Sequence, residues 1–115
     1  MKKTVKLGVQ ELEGQTYIIG REGHIYIDGP AISRAHAELK FIDGRIRLRD
    51  LGSTNGIFLL RNKKLVPFQE GYVQPQQSIV IGNQKCTIKK LLEVLGIFAD
   101  YSDDDGLTIK VRKPN

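Results

Sequence analysis

The feature of this 115-residue chain that most narrows its fold is the dipeptide Asp43-Gly44, set between Phe41-Ile42 and Arg45-Ile46. A two-residue hairpin of type I′ needs φ > 0 at both central positions, and Asp followed by Gly meets that need at little steric cost. The next run, Arg45-Ile46-Arg47-Leu48-Arg49, alternates with period two, so three arginines share one face while Ile46 and Leu48 point to the other. Similar short runs of β-branched and aromatic residues predict strands near 4–9, 15–20, 24–27, 36–42, 45–50, 57–60, 78–82 and 84–91. Their spacing implies an all-β sandwich or barrel, with no long helical period before residue 88. Leu91, Leu92, Leu95 and Phe98 fit a short helix interrupted by Gly96, or a prolonged strand, and Thr108-Ile109-Lys110-Val111 reads as an edge strand or the start of a linker.

A chain of this length holds one core and buries about 65% of its unfolded surface, enough to fold without staples. Cys86 is the single thiol, so no intrachain disulfide can form, and a cytoplasmic setting is expected. The longest apolar runs, such as Ile57-Phe58-Leu59-Leu60, are too short to span a bilayer, and no continuous apolar segment follows Met1-Lys2-Lys3. Direct membrane insertion is therefore not expected. The 18 basic and 13 acidic side chains leave a net charge of +5, divided into +7 over residues 1–90 and −2 over residues 91–115. The change in composition suggests a domain at 1–92 followed by a C-terminal extension or linker at 93–115. The positive sign suggests an anionic partner.

Several chemistries find little support. His24, His36 and Cys86 never pair at a metal-ligand spacing, and no cofactor motif is present. Aligning Gly106 with the glycine of a calcium-binding EF-hand loop puts Tyr101 and Arg112 where acidic ligands belong. Ser33 and His36 could form a nucleophile and base, but no orienting acid or oxyanion motif accompanies them, so no enzyme is expected. Without tryptophan and with only 4 Tyr and 4 Phe, scattered, the chain lacks the stacking platform of a single-strand binder. Nucleic acid remains an alternative only through backbone electrostatics, using Arg45, Arg47 and Arg49 with the Lys63-Lys64 and Lys89-Lys90 pairs.

Three segments then concentrate small polar and basic groups: Gly20-Arg21, Ser33-Arg34-Ala35-His36, and Asp50-Leu51-Gly52-Ser53-Thr54-Asn55-Gly56. Singly, each has a local reading, such as a hairpin turn at Asn55-Gly56 or hydroxyl turns closed by Ser53 and Thr54. In this order and spacing they resemble the forkhead-associated (FHA) domain, with its Gly-Arg, Ser-x-x-His and Ser-x-Asn-Gly signature. The resemblance covers roughly residues 4–92. It implies a β-sandwich of two mainly antiparallel sheets, here with a possible short C-terminal helix or extension. It further implies a phosphothreonine-peptide reader in kinase signalling that carries out no chemistry and takes no small-molecule substrate.

A phosphothreonine brings nearly two negative charges and three acceptor oxygens. On the resemblance, Arg21 offers a planar guanidinium for paired bonds, Arg34 a second cation and Ser33 a hydroxyl donor. Thr54 would help bind the phosphothreonine region, and the Asn55 amide would hold the peptide main chain. Gly20, His36 and Gly56 are implied to shape the loops, with His36 as a brace. The loop Gly82-Asn83-Gln84 would read the third residue after the phosphothreonine. Strand counting alone brings Ser33, Arg34, Thr54 and Asn55 to one end but sends Arg21 to the other, so its place at the site rests on the resemblance. Gln76-Gln77-Ser78 departs from the Gly-Asp common in the family at this turn. An isolated domain is expected to be monomeric. An FHA scaffold serving phospho-independent assembly is the structural alternative, and Asp103-Asp104-Asp105 could fold back as a phosphate mimic.

Overall fold

Asp43 and Gly44 take φ of 52° and 70°. They join β4 (Ala37–Ile42) to β5 (Arg45–Asp50), whose register runs from Ile42 opposite Arg45 to Ala37 opposite Asp50. The type I′ expectation is met. The computed structural model describes residues 3–8, 12–102 and 106–113, with side chains described over residues 12–97. Before β4 come β1 (Lys3–Gly8), β2 (Thr16–Gly20) and β3 (Ile25–Tyr26). After β5 come β6 (Ile57–Arg61), β7 (Lys64–Phe68), β8 (Glu70–Val73), β9 (Ser78–Ile81) and β10 (Gln84–Thr87), then α1 (Ile88–Val94), β11 (Ile97–Ser102) and β12 (Gly106–Lys113).

The two faces of the sandwich are a five-stranded sheet, ordered β3-β2-β4-β5-β8, and a four-stranded sheet, ordered β10-β9-β6-β7. Alternation drives their packing. Ala37, Leu39 and Phe41 of β4, Ile46 and Leu48 of β5, Ile57 and Leu59 of β6, and Ile79 and Ile81 of β9 all point inward and are buried in one continuous core. Each large aliphatic or aromatic side chain so buried stabilises the fold by about 1.5–3 kcal/mol. The arginines of β5 lie on the outer face, as the alternation requires.

Residues 88–91, expected to continue a strand, are helical. Thr87 caps α1 by accepting the Lys90 N–H on its Oγ1 at 3.1 Å, and Ile88, Leu91 and Leu92 then share a buried face at i, i+3 and i+4. Strands β7 and β8 were not anticipated. Strand β7 is a sheet edge, where Pro67 removes no ladder donor that the core needs, and its Leu65 and Val66 remain exposed.

The segment 108–111, read as an edge strand or linker, belongs to β12. That strand lies between β1 and β11 in a three-stranded antiparallel sheet, with Lys3 opposite Lys113 and Gly8 opposite Thr108. Helix α1 runs through position 92, and Ile97 is a core residue. The acidic triplet 103–105 lies outside the described residues.

Candidate functional site

Registers decide which loops meet. Ile19 near the end of β2 pairs with Ala37 at the start of β4, Ala37 pairs with Asp50 at the end of β5, and Ile57 at the start of β6 pairs with Ile81 at the end of β9. The segments 20–22, 31–36, 51–56 and 82–83 therefore gather at one end of the sandwich. Strict up-and-down counting fails for Arg21 because β2 and β3 run parallel, with Ile19 opposite Ile25. The intervening loop carries the chain back without a strand reversal, and Arg21 stays at the end occupied by Ser33.

Arg21 is anchored there by three bonds. Its N–H donates to the Ser33 carbonyl at 3.2 Å, its Nε donates to the Ile32 carbonyl at 2.6 Å, and the neighbouring Glu22 N–H donates to the Arg34 carbonyl at 3.0 Å. This contact leaves no room at Gly20, where an added Cβ would meet the carbonyl oxygens of Ser33 and Arg34. With Nε committed to Ile32, the remaining guanidinium N–H groups of Arg21 face solvent. Arg34 stands beside it, exposed, with Nε 3.6 Å from the Glu22 carboxylate. Glu22 escaped the sequence reading because no motif marks it. Its charge competes for the same cation a phosphate would use.

The second and third segments are tied by side chains. The Ser33 hydroxyl accepts the Thr54 N–H at 3.3 Å, and among the described residues it donates to no group, which leaves its hydrogen for a ligand. The Asn55 amide donates to the Ala31 carbonyl at 3.0 Å, with its oxygen left as an acceptor. Thr54 and Asn55 are exposed and Ser33 half-buried, so five candidate residues form one open rim. Gly82 packs so tightly on this loop that a Cβ would meet the Ala31 carbonyl, and the Gln84 amide donates to the Asp28 carbonyl. Asn83 alone of the expected selectivity loop is exposed.

His36 lies beneath the rim and is fully buried. Its Nδ1 accepts the Ser33 N–H at 3.1 Å, and its Nε2 is 2.9 Å from the Gly56 carbonyl. The first contact requires a bare Nδ1, so the proton sits on Nε2 and donates to Gly56. Both ring nitrogens are thus used structurally, and the contact to Ser33 runs through its backbone and not its hydroxyl. A serine–histidine nucleophile pair is not assembled.

Asp50 and Ser53 complete the support. The Asp50 carboxylate accepts the N–H groups of Gly52 and Ser53, each at 3.1 Å, and the Ser53 hydroxyl at 2.5 Å, while Ser53 Oγ accepts the Gly56 N–H at 2.9 Å. The Asp-x-x-Ser spacing was the available signal for this turn. At the opposite end of the sandwich, Gln77 spans the altered turn before β9 by donating to the carbonyls of Leu60 and Ser78 at 3.2 and 2.9 Å.

The electrostatics are local. The Asp28 carboxylate, aided by partial desolvation, holds the Tyr26 phenol above its usual range, while the Arg21 charge pulls it down. The basic face of β5 is already partnered: Arg45 stacks on Tyr72 at 3.8 Å, Arg47 pairs with Glu70, and Arg49 lies 3.6 Å from Glu38. Lys63 and Lys64 sit at the far end of β6 from the rim.

Known proteins fall in line with this arrangement. The family model described as FHA domain matches residues 17–82, a span that holds the first three converging segments and reaches Gly82 of the fourth. Among solved structures, the FhaA FHA domain, complexed with the intracellular domain of Rv3910, is 31% identical, with 64% of this chain and 77% of that chain covered and a TM-score of 0.54. FHA-1 of Mycobacterium tuberculosis Rv1747 is 28% identical over 85% and 78% of the two chains, with a TM-score of 0.50. The FHA domain of a Chlamydia trachomatis protein shares the fold at 20% identity, with coverages of 90% and 79% and a TM-score of 0.51. A comparison with curated proteins returned no match. With the Gly-Arg, Ser-x-x-His and Ser-x-Asn-Gly segments joined at one end of a β-sandwich, and the family match spanning all of them, the chain belongs to the FHA-domain family.

Proposed function

We propose that this chain is a phosphothreonine-dependent protein-interaction module that docks phosphorylated segments of partner proteins through Arg21, Ser33, Arg34, Thr54 and Asn55. The observation that carries the reading is the single rim, where the exposed Arg21 and Arg34 and the half-buried Ser33 are brought together by backbone hydrogen bonds over the buried His36. Those groups match what a dianionic phosphate needs: fixed cations and directional donors. Each bond to a charged group contributes about 1.5–3 kcal/mol before association entropy is subtracted, so two or three decide between a phosphorylated and a bare peptide. Affinity near 1 μM, about −8 kcal/mol, suits a contact of this size.

The Asn55 carbonyl and its second amide hydrogen are placed to hold a peptide main chain, and the exposed Asn83 borders the path of residues that follow the phosphothreonine. A nucleic-acid reading is disfavoured because Arg45, Arg47 and Arg49 already have partners on their own sheet. No helix among the described residues is long and apolar enough to cross a membrane, and the single thiol fits a reducing cytoplasm.

The deciding experiment titrates a degenerate phosphothreonine peptide library against its unphosphorylated twin. Selective capture of the phosphorylated set is expected, and equal binding of the two would overturn the reading. Affinity should also weaken as pH falls through about 6, where the phosphate gains its second proton.

A further inference from the structure

The open seam of the sandwich carries a second feature. Strands β3 and β10 are the outer strands of the two sheets on the same side, and α1 follows β10 there. Between them runs a groove of about 380 Å³, within the usual range of about 300–1,000 Å³ for ligand sites. Ile25 and Leu91 form its floor, at 0% and 3% exposure, while Tyr26 and Val94 form its lips, each 59% exposed. Apolar side chains held open in a concave place mark an interaction site more often than scattered surface ones do.

Charge narrows the occupant. Lys85 and Lys90 line the rim; Lys90 lies 3.9 Å from Glu93, and among the described residues Lys85 joins no ion pair. Asp28 is the single acidic residue of the lining, against the two lysines. The rim therefore favours an acidic companion to the apolar contact. Position narrows it further. Asp28 lines the groove and begins the loop that reaches Ser33 and Arg34, and Gln84 bridges groove and loop by donating to the Asp28 carbonyl.

We infer that this groove docks a short apolar segment carrying acidic residues, borne by the same partner as the phosphothreonine. The linkage rests on the phosphothreonine reading; the groove contact does not. A short connection gives an effective concentration in the millimolar range, so a groove contact with a Kd near 100 μM would tighten the joined ligand about tenfold.

The test screens a random, unphosphorylated peptide library against the full chain and its Val94→Glu variant. The enriched segment is then joined by a short Gly-Ser spacer to a phosphothreonine peptide, at its N-terminal side in one ligand and its C-terminal side in another, and the tighter of the two is taken as the joined ligand. A consensus of apolar with Asp or Glu residues, lost on Val94→Glu, is expected, with about tenfold tighter binding of the joined ligand. Lys85→Glu should remove most of that gain and leave the affinity of the unjoined phosphopeptide unchanged. The absence of a Val94-dependent consensus, a basic consensus, or a joined ligand no tighter than its better half would overturn the inference. A phosphopeptide that binds no better than its bare twin would defeat the phosphothreonine reading and with it the linkage, while the phosphate-free screen would still decide the groove.

Discussion

The backbone N–H of Ser33 donates to Nδ1 of His36 at 3.1 Å, and this one contact sets the tautomer that braces the rim. The proton it leaves on Nε2 is spent on the Gly56 carbonyl at 2.9 Å, so a single buried ring joins the Ser33 and Asn55 loops. His36→Ala removes both bonds inside the protein. It should cost about 2–4 kcal/mol in urea denaturation and weaken phosphopeptide binding more than the loss of stability explains. A cost below about 1 kcal/mol would show that the ring is not the tie described.

Arg21→Lys keeps the charge but loses the planar fork and the Nε bond to Ile32 that aims it. The affinity for a phosphothreonine peptide should fall about 10–100-fold, the equivalent of one charged hydrogen bond, while the unphosphorylated peptide is unaffected. Calorimetric titration of both peptides checks this. Equal affinity of Arg21→Lys and the parent would mean that charge alone suffices.

Glu22→Gln removes the carboxylate 3.6 Å from the Arg34 side chain. Exposed pairs of this kind contribute about 0–1 kcal/mol, so stability should hardly move. Phosphopeptide affinity should rise up to about fivefold at low salt, with the gain shrinking as salt screens the rim. A weaker-binding variant would show that Glu22 positions Arg34 and does not compete with the ligand.

The parts legible in the sequence were those governed by local rules. Asp43-Gly44 named its own turn, and strict alternation named the inner faces of β4 and β5. Ser33, Thr54 and Asn55 could be brought together by counting strands. Arg21 could not, because the parallel pairing of β2 with β3 is a tertiary choice that no local pattern encodes. The β6–β7 hairpin was missed for a related reason. Its turn is Asn62-Lys63, with φ of 49° and 65°, and a lysine in the left-handed region carries no turn signal. That strain is removable: Lys63→Gly should stabilise the domain by about 0.5–1 kcal/mol, read as a higher denaturation midpoint with rim binding unchanged. A loss of stability would show that the lysine side chain contributes more than its backbone costs.

Cys86 offers a test by pH. Burial pushes its thiol up from 9.0 to about 11, because the thiolate would be poorly solvated between β10 and the groove. Only the thiolate reacts with alkylating reagents, so at pH 8 the folded protein should react about 100-fold more slowly than the urea-unfolded chain. Steric cover also slows alkylation, but it does not change the pH slope. The native rate should keep rising about tenfold per pH unit from 8 to 10, whereas the unfolded rate levels off above 9. The sign for stability follows: the folded state holds the thiol proton that the unfolded chain releases, so this contribution is complete below pH 9 and is lost as pH rises toward 11. A native rate that levels off near pH 9 would place the thiol in water, and would argue against the packing of Cys86 beside Ile25 and Leu91.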